Sequence, residues 1–114
     1  MNVIDALTKI LQERRTADPE SSYVASLYAS GLDRILKKVG EESAEALIAA
    51  KNVDIGNPGR NDAPIGEVAD LWFHTMVLLV HLEQRPVWVL DELASRLGVS
   101  GHAEKAGRTT SQNE

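Results

Sequence analysis

The sequence predicts an all-α protein, a small bundle of four to five helices that oligomerises. Three observations carry that reading. Apolar residues recur at spacings of three and four in one segment after another, and no stretch alternates as a half-buried strand would. Most of the glycines and prolines fall between those segments, where they punctuate them. At 114 residues the chain can close one hydrophobic core, with no room for a second catalytic domain.

Each helix has its own signals. Val3, Ile4, Leu7, Ile10 and Leu11 share one face of a first helix, with Asn2 as its cap and Asp5 in its first turn, ending near ADPESS. Ser22 caps a short second helix, YVASLYAS, which Gly31 stops. The third spans roughly 32–53, with Leu32, Ile35, Leu36, Val39, Ala46, Leu47 and Ala50 as its core stripe. Gly40 in its middle disfavours the helix by up to about 1 kcal/mol and suggests close approach of a backbone or ligand. DIGNPGRNDAP reads as a loop, after which Asp62 as cap and Pro64 in the first turn open the fourth helix. Pro86 and Gly98 bracket a fifth, VWVLDELASRL, and the polar remainder is expected to fray toward its end. Trp72, Phe73 and Trp88 read as packing residues.

Composition excludes several classes of function. Cysteine is absent, which rules out disulfides and thiolate metal sites and suits a reducing cytoplasm. A formal net charge of −5 argues against a general affinity for nucleic acid or an anionic membrane. The apolar run MVLLV is far below spanning length, and MNVIDALTKILQERR lacks the basic-then-apolar order of a signal peptide.

The fourth helix, EVADLWFHTMVLLVHL from residue 67, is almost wholly apolar, so Glu67 and Asp70 require an explanation. An ionised acid in low dielectric costs several kcal/mol unless it finds solvent or a cation. At about 100° per residue, Lys38, Glu42, Glu45 and Ala49 form one line of the third helix, with Glu41 and Lys37 further round. Glu67, Asp70, His74, Val77 and His81 form a seam on the fourth. Consecutive helices pack antiparallel, so facing seams would bring Glu42 and Glu45 to Glu67 and Asp70. Four converging carboxylates call for a divalent cation, and an all-oxygen set suits Mg²⁺ or Mn²⁺. The plainer readings are a solvated acidic face paired with Lys37, Lys38 or Lys51, end charges in the first turn of the fourth helix, and histidines at the core or its rim.

The pattern Glu41, Glu42, Glu45, then Glu67 and Asp70, is similar to the Glu-Glu-x-x-Glu and Glu-x-x-Asp motifs of the all-helical, MazG-like nucleoside triphosphate pyrophosphohydrolase superfamily. The blocks SSYVASLYASGLDRILKKVGEESAEALIAAKN, EVADLWFHTMVLLV and ELASRLGVSGHAEKAGR more narrowly resemble the phosphoribosyl-ATP pyrophosphohydrolase family of histidine biosynthesis. The DIGNPGRNDAPIG connection departs from that family, being longer and richer in Gly and Pro; Ser43 and Trp72 also stand where Ala and a smaller apolar residue are expected.

The resemblance implies Mg²⁺-dependent hydrolysis of phosphoribosyl-ATP to phosphoribosyl-AMP and pyrophosphate in the cytoplasm, by a helical domain over residues 1–107 with a polar tail over 108–114. Glu41, Glu42, Glu45, Glu67 and Asp70 would hold the metal, and Glu42 or Glu45 would also activate the water. Arg34, Lys37, Lys38, Lys51 and His74 are the candidates for substrate contact. The apolar fourth and fifth helices imply a homodimer or larger, with neither nucleic acid nor membrane as partner. Two alternatives stay open, a housecleaning dNTP pyrophosphohydrolase of the MazG or dimeric dUTPase type and a non-enzymatic helical association module.

Overall fold

The computed structural model describes residues 2–98 and is all-helical there: α1 (Val3–Glu13) with a 3-10 turn at Arg14–Thr16, α2 (Tyr23–Ser30), α3 (Leu32–Lys51), α4 (Asp62–His81) and α5 (Val87–Leu97). The expected fraying, the 108–114 tail and the GHAEKAGR block lie outside the described residues. The predicted start signals hold. Asn2 Oδ1 accepts from the Asp5 amide at 2.8 Å and Ser22 Oγ from the Ala25 amide at 3.1 Å. Gly31 has φ 100°, a conformation L side chains rarely adopt, and turns the chain directly from α2 into α3. Two boundaries move. α3 stops at Lys51, with Asn52 as its cap, and α4 is capped by Asn61, whose Oδ1 accepts from the Ala63 amide, while Asp62 pairs with Arg60 at 2.7 Å.

The core is small. Leu11, Leu27, Ile35, Met76, Val77 and Val80 form it, with Ile4, Leu7, Val24, Tyr28, Phe73 and Leu78 packed around them. Tyr28 fastens α2 to α1, its hydroxyl donating to the Leu11 carbonyl at 3.1 Å, while its ring stacks on His81 at 5.9 Å. Burial pushes the Tyr28 phenol up to about 12, with the nearby Arg15 charge acting in the opposite sense. His81 is thus a rim residue, as the plainer reading has it.

Much apolar surface is left over. α5 has no buried residue, and Trp72, Trp88, Val89, Leu90, Leu93 and Leu97 all stand exposed. The expectation that Trp72 and Trp88 pack is therefore corrected within this chain, since only Phe73 reaches the core. Trp72 instead lines an apolar trough between α1, α4 and α5, and Trp88 a neighbouring groove with Arg85, Glu92 and Arg96; no described segment covers either. The radius of gyration, 17.0 Å, exceeds the roughly 13 Å of a compact domain of about 100 residues, so the helices form an open arrangement. By length and composition α4 is apolar enough to cross a membrane, contrary to the reading from MVLLV alone; core helices meet the same criterion, and α4 packs along α3 and carries the core residues Met76, Val77 and Val80.

Gly40 has no close neighbour in the chain, since a Cβ built there meets nothing within 4 Å. The suggested approach of a backbone is thus absent among the described residues. Gly40→Ala is accordingly expected to raise stability by up to about 1 kcal/mol through helix propensity. Chemical denaturation checks this.

Candidate active site

Helix register, read from the structure, assembles the acids. Glu42 approaches Asp70 and Glu67, and Glu45 approaches Glu67, a crossed pairing that requires α3 and α4 to run antiparallel. Ligand-capable oxygens of Glu42, Glu67 and Asp70 lie within 4.8 Å of one another. Glu42 is buried, Glu67 half-buried, and Asp70 and Glu45 are exposed, so the cluster runs from the helix interface out to solvent. α4 begins at Asp62, which puts Glu67 and Asp70 in its second and third turns, too far along to act as charges for the helix end.

Two oxygens in this group are out of order for a merely solvated face. Glu42 Oε1 and Glu67 Oε1 are shielded from water and have no hydrogen-bond partner among the described residues. Buried acceptors of this kind are rare and costly, and a cation satisfies both at once. The donor set, all carboxylate oxygen, fits a hard divalent ion.

Burial pushes the Glu67 carboxyl above the ordinary carboxylate range, and the neighbouring Glu45, Asp70 and Glu42 charges add to it. A raised folded-state pKa favours the protonated group in the native state. Without metal, the stability it lends is present below the ordinary glutamate range and is lost as pH rises through the raised value. Glu67→Gln should flatten that decline, as melting temperatures measured across the acidic range would show.

The basic candidates separate. Lys38 Nζ lies 3.3 Å from Glu41 Oε1 and 3.7 Å from Glu42 Oε2, so part of the solvated-pair reading is correct for Glu41. The Glu41 hydrogen bond raises the Lys38 ammonium's pKa most, followed by Tyr23, with desolvation opposing and the Glu41 and Glu42 charges adding. Arg34 donates to Ser30 Oγ at 3.0 Å, away from the acids, and Lys37 and Lys51 are exposed. His74 is buried, with Nδ1 2.8 Å from the Asp70 carbonyl and Nε2 2.8 Å from the Tyr23 hydroxyl. Tyr23 was not among the residues singled out by spacing. Its signals in the sequence are its place after the Ser22 cap and in the family-like SSY segment.

The family model described as phosphoribosyl-ATP pyrophosphohydrolase matches residues 4–96, a span that holds all five helices but for the last residue of α5 and the first of α1, and every acid of the cluster.

Proposed function

We propose a detailed reaction from one premise: the chain belongs to the phosphoribosyl-ATP pyrophosphohydrolase family, hydrolases acting on a phosphoric anhydride in histidine biosynthesis. The reading is Mg²⁺-assisted hydrolysis of phosphoribosyl-ATP between its α and β phosphates, with Mn²⁺ as a possible substitute, in the cytoplasm. The observation that carries it is the convergence of Glu42, Glu67 and Asp70 around two unsatisfied, shielded oxygens.

Glu42, Glu67 and Asp70 would hold the cation, with Glu41 as a further ligand once its pair with Lys38 opens. When bound, the cation neutralises phosphate oxygens and stabilises the leaving pyrophosphate. Glu45, exposed and near Glu67, would take the proton of the attacking water, Glu42 being already committed to the cation. Lys38 is the basic group beside the cluster and would meet phosphate oxygens directly. Arg34, bonded to Ser30, and the exposed Lys37 and Lys51 would serve only to draw in the polyanion, which explains how an acidic chain accepts one. His74, both nitrogens engaged, would contribute to substrate binding through Tyr23.

The apolar trough belongs to the same proposal. A groove of about 240 Å³ lined by Ile4, Trp72, Met76, Leu79, Leu90 and Leu93 is a surface that a second copy of the helical domain, residues 1–107, would cover. The active species is then a homodimer or larger. Light scattering at micromolar concentration should give at least twice the single-chain mass.

Incubation with phosphoribosyl-ATP and Mg²⁺, followed by product analysis, tests the reaction. Phosphoribosyl-AMP and pyrophosphate are expected. Orthophosphate would contradict the cleavage position, and preference for a dNTP would favour the housecleaning alternative.

A further inference from the structure

We propose that Tyr23 is a substrate-binding residue whose ring stacks on the purine base of the nucleotide while the phosphates lie at the carboxylate cluster. The inference rests on the reading of that cluster as the active site. Tyr23 opens α2, where the buried Ser22 caps the helix through the Ala25 amide and fixes the turn on which the tyrosine stands. Its hydroxyl lies 2.8 Å from Nε2 of the buried His74 on α4. The far side of the imidazole sets the direction of that bond. The Asp70 carbonyl can only accept, so His74 Nδ1 donates to it at 2.8 Å, and in the neutral ring Nε2 is left to accept from the phenol.

Between these two anchors the ring stays open. Tyr23 is 47% exposed, although the turn that carries it and the hydroxyl at its tip are both fixed. Its plane meets that of His74 at 78°, so the imidazole engages the tip of the tyrosine and leaves the ring faces to other partners. A half-exposed aromatic ring held in one orientation loses little freedom when a flat ligand settles on it. Its place in the fold selects the ligand. His74 follows Asp70 by one turn on the same side of α4, about 6 Å along the helix axis. A single ribose sets a comparable separation between the phosphates of a nucleotide and its base. The other described rings near α4 are engaged elsewhere: Phe73 packs on the core, Tyr28 stacks on His81 two turns further along, and Trp72 lines the trough toward α1 and α5. Tyr23 is thus the ring that a base can reach from the cluster.

The test compares Tyr23→Phe, which keeps the ring and loses the hydroxyl, with Tyr23→Leu, which loses both, in pyrophosphate release from phosphoribosyl-ATP with Mg²⁺. Tyr23→Leu is expected to raise KM about tenfold, the size of one base–aromatic stack, with little change in kcat. Tyr23→Phe should raise it far less. Equal KM values in the two variants, or a loss confined to kcat, would overturn the proposal, because the hydroxyl or the fold would then matter and the ring would not. A second readout needs neither turnover nor substitution. When phosphoribosyl-AMP is mixed with the wild-type protein and Mg²⁺, NMR should show the purine protons shifted upfield, with nuclear Overhauser contacts to the Tyr23 ring protons, and the absence of those contacts would also overturn the proposal. Full activity of Asp70→Asn is a distinct result, which would remove the active-site reading and this inference with it.

Discussion

Asp70→Asn is expected to lower pyrophosphate release by about 10²-fold or more while the chain stays folded. The substitution keeps the shape of the side chain and removes one of the three carboxylates proposed to hold the cation. Asp70 is exposed, so no core contact is lost. Its charge is one of those that raise the Glu67 carboxyl, and removing it relieves repulsion in the metal-free protein. The variant should therefore be at least as stable as the wild type without metal. Steady-state kinetics alongside chemical denaturation measures both quantities. Were Asp70 merely complementing the dipole of α4, the pattern would reverse, with at most about 1 kcal/mol of stability lost and activity retained.

Leu27→Ala is expected to destabilise the protein by about 2–5 kcal/mol, a large part of the total stability of a small domain. Leu27 has no exposed surface and sits among the few buried apolar residues. The cavity left by its side chain would border Leu11, Ile35 and Val77, which are rigidly placed on three other helices and cannot easily collapse. Truncating the exposed Leu47 should have a much smaller effect on an isolated chain. Denaturant midpoints for the two variants measure the contrast.

The helices were legible in the sequence because their caps are local chemistry. Asn2, Ser22, Gly31 and Pro86 act within a turn of where they stand, and each marks the boundary it was expected to mark. The one-residue shift to Asn61 is a choice between two adjacent side chains that can both cap, which periodicity does not encode. The acids were legible for a different reason. Polar side chains on an apolar helix must be answered by something, and facing seams at helical spacing narrow what that is. Trp72 and Trp88 were misplaced since apolar character tells that a surface will be covered, without telling whether the same chain covers it. Tyr23 escaped because its bond to His74 joins residues 51 positions apart. Such a contact depends on the packing of α2 against α4, which no local pattern records.

The most direct measurement of whether Glu42, Glu67 and Asp70 form the active centre is a set of thermal melts with and without millimolar Mg²⁺, for the wild type and Asp70→Asn. A ligand that binds only the folded state stabilises it by RT ln(1 + [L]/Kd), so the wild type should show a clear Mg²⁺-induced rise in Tm and the variant a much smaller one. Equal rises in the two proteins, or none in either, would contradict the assignment of the carboxylate cluster as the metal site.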